Sequence, residues 1–231
     1  MSRVTNPASS RAAGTPAAPR SPLRWLPLWL RPGRTGLPGH RPRPTGLVAL
    51  RDGSTVLIRQ VQSTDAPLLA DGFARLSPRS RQMRFLTRKK QLSSAELRYF
   101  TDVDHHDHEA LVALNHADGR GVGIARYIRH ADDRHAAEIA ITIVDDWQGR
   151  GLGTELVARL SGRARRAGIH RFTALVAEDN MAVARMLRNT GARLAGRGPG
   201  TVEYQIPLTL PPKSIAAPDA GPCQDRACVP C

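Results

Sequence analysis

Three glycines at alternate positions, Gly149, Gly151 and Gly153, lie between the β-branched apolar run Ile139-Ala140-Ile141-Thr142-Ile143-Val144 and a segment with apolar residues at helical spacing, Leu156, Val157, Leu160 and Ala164. The pattern predicts a strand, a glycine-rich turn and a helix. Glycines at the mouth of a helix keep side chains away from the backbone and permit positive φ. Loop amides, the unpaired donors of the first helical turn and the positive end of the helix dipole can then converge on one point. Such a turn can hold a phosphate or pyrophosphate. Taken alone, the spacing describes a plain turn equally well. The segment lacks the lysine and spacing of a P-loop, and it lacks the second half of a dinucleotide fingerprint.

Two further clusters invite a metal reading. His105, His106 and His108 alternate with Asp104, Asp107 and Glu109, and Cys223, Cys228 and Cys231 end the chain with C-x4-C-x2-C spacing. A structural zinc site takes four ligands, and no histidine follows His170 to complete the cysteine set. The cysteines read as free thiols on a flexible tail, and the histidines as a solvated polar loop. No metal is expected.

The chain has 231 residues, 41% of them hydrophobic, enough for one core of ordinary size. Its formal net charge of +14 suggests a nucleic-acid binder until it is mapped. Arg3, Arg11, Arg20, Arg24, Arg31, Arg34, Arg41 and Arg43 precede any acid, so over half of the excess lies in the leader. Aromatic residues are 4% of the chain, too few for a base-stacking surface. Nucleic acid is therefore not expected as the main partner. The Leu23–Leu30 stretch is broken by Arg24 and Pro27 and falls far short of the ~20 apolar residues of a membrane span. The absence of cysteine before Cys223 suits a reducing cytoplasm.

Residues 1–46, rich in Pro, Arg, Ala, Gly and Ser, read as a disordered leader. Residues 47–208 read as one domain, and residues 209–231 as a flexible tail. The domain opens with apolar runs at Leu47–Leu50 and Thr55–Val61 around Asp52-Gly53, a hairpin signal. Asp65 is placed to cap a helix carrying Leu68, Leu69, Phe73 and Leu76. Ser77-Pro78 starts a second helix, and Ser93-x-x-Glu96 is a capping box for a third. Three adjacent apolar runs, Ala110–Leu114, Val122–Ile128 and Ala137–Val144, predict an antiparallel meander. After the glycine turn and its helix come a strand at Arg171–Val176, Asn180 as cap of a helix over Met181–Asn189, Gly191 as its C′ residue, and two last strands.

Read as Gln148-x-x-Gly151-x-Gly153, the turn resembles the acyl-CoA pyrophosphate loop of the GNAT N-acetyltransferase superfamily. The element order resembles that family across residues 47–208. The stretches Leu76-Ser77-Pro78-Arg79-Ser80-Arg81, Ala137-Glu138-Ile139-Ala140 and Asp145-Asp146-Trp147-Gln148-Gly149 bring it closest to bacterial protein lysine acetyltransferases. The resemblance implies an α/β fold with a mixed, mainly antiparallel sheet flanked by helices. It also implies acetyl transfer from acetyl-CoA to an amine, a protein lysine first and a small amine as the alternative. A third possibility is an acyl-CoA-sensing module without turnover.

The resemblance further implies that Gln148, Gly149, Arg150, Gly151, Leu152, Gly153 and Thr154 hold the pyrophosphate. Ile143 and Val144 would pair their backbones with the pantetheine, and Asn180 would face the cofactor besides capping its helix. Glu138 would take the proton of the acceptor amine, with partial burial raising its pKa. Family members often carry a tyrosine where this chain has Leu187, so the general acid is in question. Tyr127 and Tyr204 are substitutes for which packing is the plainer reading. Asp102, Asp104, Asp107, Glu109, Asp132 and Asp133 are expected to flank the reaction strand and to concentrate a cationic acceptor there.

Overall fold

The computed structural model describes residues 44–208. Its sheet has eight strands: β1 (Pro44–Ala49), β2 (Thr55–Gln60), β3 (His108–Asn115), β4 (Gly121–Arg129), β5 (Ala136–Ile143), β6 (Arg171–Ala177), β7 (Arg193–Gly198) and β8 (Thr201–Pro207). Their order in space is β1-β2-β3-β4-β5-β6-β8-β7. Every neighbouring pair is antiparallel except β5 and β6. The fold is thus α/β with the mixed, mainly antiparallel sheet expected. β1 begins at Pro44, so its first residues fall in the stretch read as leader. The remaining leader and the cysteine tail lie outside the described residues.

The alternation of each strand assigns a face to each helix. Val56, Ile58, Leu111, Ala113, Ala125, Tyr127, Ala137, Ile139, Phe172 and Ala174 pack with Leu152, Leu156, Val157, Leu160 and Ala164 of α4 (Leu152–Arg166). Leu187 of α5 (Met181–Asn189) joins this cluster. The opposite face carries α1 (Ala66–Ala74), α2 (Pro78–Phe85) and α3 (Ser94–Thr101), whose Leu69, Phe73, Leu76, Phe85 and Phe100 pack together, with Ile124 and Ile128 of β4 against them. Glu138, Ala140 and Thr142, out of phase with Ala137 and Ile139, therefore face the α1–α3 side.

Most local signals hold. The Ser77 hydroxyl accepts the Ser80 amide at 3.1 Å and caps α2. Ser93 and Glu96 form a reciprocal capping box on α3. Asp52-Gly53 turns the β1–β2 hairpin, with Gly53 at φ 81. Asp65 does not cap α1 with its side chain. Its carboxylate instead takes a bidentate bond from Arg59, both contacts 2.7 Å, and accepts the Gln62 amide at 2.8 Å. A guanidinium fork held beside a buried carboxylate outcompetes a single amide.

Candidate active site

β5 and β6 pair only at Ala136 with Arg171, Ala137 with Phe172 and Glu138 with Thr173. Beyond Glu138 the two strands part, β6 remaining on β8 as far as Ala177 while β5 continues to Ile143. The opening is a groove of about 910 Å³ bounded by α2, β5, the glycine turn, the end of β6 and α5. Glu138 stands at its apex, at the last paired position.

Strand parity decides which peptide groups face this groove. Val144 donates its amide to Val122 at 3.0 Å, and its carbonyl accepts the Trp147 amide at 2.8 Å. In an antiparallel ladder the groups of Thr142, Ala140 and Glu138 then also turn towards β4, while those of Ile143, Ile141 and Ile139 turn away; the Ile139 amide is taken up by Thr173 in the last parallel pair, so from its carbonyl onward the edge faces the side that β6 has vacated. Ile143 is therefore on the groove edge as expected. Val144 is not, because both its peptide groups are engaged within the protein. Ile139 and Ile141 take its place, an assignment that needs the β4 register and cannot be read from the run of residues alone.

The glycine turn leaves its donors free. Gly149 and Gly151 adopt φ 78 and 93, in the region open to glycine. Among the described residues, no internal backbone acceptor engages the amides of Gly149, Arg150, Gly151, Leu152, Gly153 or Thr154; the first amide of α4 with one is Glu155, bonded to the Gly151 carbonyl at 3.2 Å. The side chains around these amides do the holding. Gln148 Nε2 donates to the Ile143 carbonyl at 3.1 Å and lies 3.4 Å from Ser80 Oγ. Arg150 bonds Asp52 Oδ2 at 2.8 Å and the Asp146 carbonyl at 2.6 Å, with its guanidinium 4.7 Å from the centre of the Trp147 ring. Leu152, 1% exposed, anchors the turn in the core. Asn180 lines the groove and caps α5, its Oδ1 accepting the Val183 amide at 3.2 Å.

Two segments distant in sequence meet at Asp145. Its carboxylate accepts the Ser77 amide at 2.9 Å, the Ser77 hydroxyl at 2.8 Å and the Ser80 hydroxyl at 2.7 Å, tying the start of α2 to the residues between β5 and the glycine turn. Burial opposes the charge of Asp145, but the bonds from Ser77 and Ser80 outweigh it and hold the carboxyl below its ordinary value. The clamp brings Arg84 over β5, where its Nε donates to Thr142 Oγ1 at 3.0 Å. Burial pushes Arg84 down to about 10, against the field of Glu138, which favours its charge. Nearby Arg126, on β4, is pushed down to about 9 by burial and by Arg84. Sequence patterning points to neither arginine, since strand and helix phase alone do not show which polar residues share a buried face.

The acidic loop does other work than expected. Asp104 accepts the amides of His106, Asp107 and His108. Asp107 pairs with Arg129 at 2.7 Å and Arg134 at 3.0 Å, and Asp133 pairs with Arg171. Glu109, 1% exposed, faces α4, where it meets Arg163 at 3.0 Å and His105 at 2.7 Å. Asp107, Glu109 and Asp133 are thus paired with cations within the fold and Asp104 with backbone amides, while no ion pair engages Asp102 or Asp132 among the described residues; Glu109 lies on the sheet face away from Glu138. His108 is held neutral, its pKa driven well below the usual value by burial and by Arg126. Among the described residues no group of three or more His, Cys, Asp or Glu is arranged to hold a metal ion. Leu187 is 1% exposed. Tyr127 donates to the His106 carbonyl at 3.0 Å, and burial with nearby Glu109 pushes its phenol far above the ordinary value. Tyr204 packs against the core, and neither tyrosine lines the groove.

A splayed parallel pair with free strand-edge peptides, leading into a turn of free amides at a helix start, defines an acyl-CoA-binding α/β fold. The family described as "Acetyltransferase (GNAT) domain" matches residues 55–193, and the chain belongs to it. It is an acetyl-CoA-dependent acetyltransferase. An acetyltransferase of Pseudomonas aeruginosa is 39% identical over 137 residues, covering 58% of this chain and 73% of that protein. Acetyltransferase Pat of Mycolicibacterium smegmatis is 32% identical over 159 residues, covering 69% of this chain and 47% of its own length, so the chain spans about half of that relative. The solved GNAT domain of S. lividans PAT matches with a TM-score of 0.67 at 28% identity, covering 70% of this chain and 96% of that one.

Proposed function

We propose that the protein acetylates the side-chain amine of protein lysines, in the cytoplasm, with residues 47–208 as the catalytic unit. The observation that carries this reading is Glu138 at the apex of the β5–β6 opening, in line with the free peptide edge and the free loop amides. Acetyl-CoA supplies the activated acyl group when bound. The amides of Gly149 to Thr154 hold its diphosphate, Ile139, Ile141 and Ile143 align its pantetheine arm as an added strand, and Asn180 borders it. Glu138 takes the proton from an acceptor ammonium of pKa ~10.4, directly or through water, freeing the amine to attack. Leu187 offers no acid to the departing thiolate, and a thiol of pKa ~8.5 departs without one. The likeness to relatives named Pat supports a protein acceptor.

A small amine is the second reading, and one feature favours it. A cavity of about 70 Å³, walled by Leu69, Phe73, Phe85 and Phe100, adjoins the groove through Leu76, Arg84 and Thr142. That space could seat the apolar part of a small acceptor. Release of CoA with a lysine-peptide panel and with a small-amine panel separates the two. Glu138→Gln must lower the rate of whichever reaction is found by about 10²-fold or more. Tight CoA binding with no turnover on either panel would leave a sensor as the correct description.

A further inference from the structure

The β1–β2 turn lies against the glycine turn and is tied to it twice: the Arg51 amide donates to the Arg150 carbonyl at 3.3 Å, and Asp52 accepts from Arg150 at 2.8 Å. Between these ties the Arg51 side chain lies across Gly151. A Cβ built on Gly151 would stand 3.3 Å from Arg51 Nε and 3.4 Å from its Cδ and Cγ, which places the arginine in close contact range of the loop. Arg51 lines the groove, and no hydrogen bond or ion pair engages its side chain among the described residues. A guanidinium is thus held beside a row of free amides at the positive end of α4. Cation, amides and dipole repel one another unless an anion sits among them.

We propose that Arg51 is a phosphate-contacting residue contributed from outside the loop, reading the diphosphate of acyl-CoA. This rests on the acyl-CoA reading of the groove and deepens it. Gly151 grants the backbone its positive φ, and Arg51 packs beside it. The ribose phosphate is the rival source of negative charge. Arg51's position against Gly151, at the N-terminus of α4, favours the diphosphate.

The test is calorimetric titration with CoA and with dephospho-CoA, which lacks only the ribose phosphate. The proteins are the full-length wild type, Arg51→Gln, Arg51→Lys and Arg166→Gln, the last removing an equal charge at the far end of α4. Arg51 is exposed, so folding is not at stake, and equal thermal midpoints verify this. Arg51→Gln should weaken both ligands about tenfold or more, as expected for loss of a charge-assisted hydrogen bond. Arg51→Lys should fall between, and Arg166→Gln should stay within about twofold of wild type, since distant exposed charges are screened. Unchanged affinity in Arg51→Gln while the wild type binds CoA overturns this proposal and leaves the acyl-CoA reading standing. A loss confined to CoA and absent with dephospho-CoA overturns the diphosphate assignment. No binding of CoA by the wild type overturns both.

Discussion

Replacing Asp145 by Asn isolates the clamp that builds one wall of the groove. Three donors converge on this carboxylate, from the Ser77 amide and the Ser77 and Ser80 hydroxyls. Asn keeps one acceptor oxygen, loses the charge, and turns an amide group towards donors. Hydrogen bonds to a charged group contribute about 1.5–3 kcal/mol each, but three bonds sharing two oxygens do not add in full. A loss of about 2–4 kcal/mol is expected, or roughly 5–10 °C in Tm for a domain of this size. Because folding lowers the pKa of Asp145, its contribution is present above the unfolded value of ~3.9 and is lost as pH falls through the folded one. The wild type and the Asn variant should therefore differ fully at pH 7 and converge in acid.

The same substitution should reach the chemistry. α2 carries Arg84 to Thr142 and towards Glu138, so loosening its start displaces the wall beside the reacting groups. A shift of about 1 Å in such a wall can lower turnover about 10²-fold. Urea titration with a constant m-value, together with separate kcat and KM, reads both effects. A midpoint and a kcat within error of wild type would show that the clamp holds nothing, and the account of how α2 is positioned would fail with it.

Three further outcomes follow from named groups. Glu138→Gln should lower kcat by about 10²–10⁴-fold and remove the acidic limb of the pH–rate profile, with KM for acetyl-CoA little changed; unaltered turnover and profile would remove Glu138 from the base role. Arg84→Met takes away a cation that favours the ionised form of Glu138, so the acidic limb of kcat/KM should move to higher pH, and a stationary limb would mean the two charges do not communicate. His108 has a folded pKa depressed by burial, so stability is complete above its unfolded value of ~6.5 and declines as pH falls below it. His108→Gln should flatten the decline in Tm between pH 7 and pH 5, and an equally steep decline would place the titration elsewhere.

Features decided within a few residues were legible in the sequence. The caps at Ser77, Ser93 and Asn180, the turn at Asp52-Gly53 and the strand–turn–helix around Gly149–Gly153 depend on local donors and φ angles, and all take the expected form. What eluded the sequence was set by partners distant along the chain. Asp65 left its helix because Arg59 reached it first. Val144 turned from the groove because pairing with Val122 fixed the parity of β5. Asp107, Glu109 and Asp133 read as part of a field for a cationic acceptor until Arg129, Arg134, Arg163 and Arg171 are seen against them. Ser77-Pro78-Arg79-Ser80 and Asp145-Asp146 both carry the family resemblance, but only the fold reveals that they are two halves of one clamp.

A division of labour runs through the site. Side chains that look apt for binding, Gln148, Arg150, Asp145 and Asn180, are engaged in holding structure in place, while the groups left open to a ligand are mainly peptide donors, those of the glycine turn and of Ile141 and Ile143, with the Arg51 guanidinium beside them. The physical reason is preorganisation. An amide fixed by its neighbours has little rotamer entropy to lose on binding, whereas a free Gln or Arg side chain would have to be ordered at a cost of about 0.5–1.5 kcal/mol each. Rigid peptide donors also keep their direction when the ligand arrives, so no reorganisation opposes its binding. The loop can therefore change its side chains without losing its ligand only where the replacements still hold the turn, and Gly149 and Gly151, at positive φ, have no such latitude.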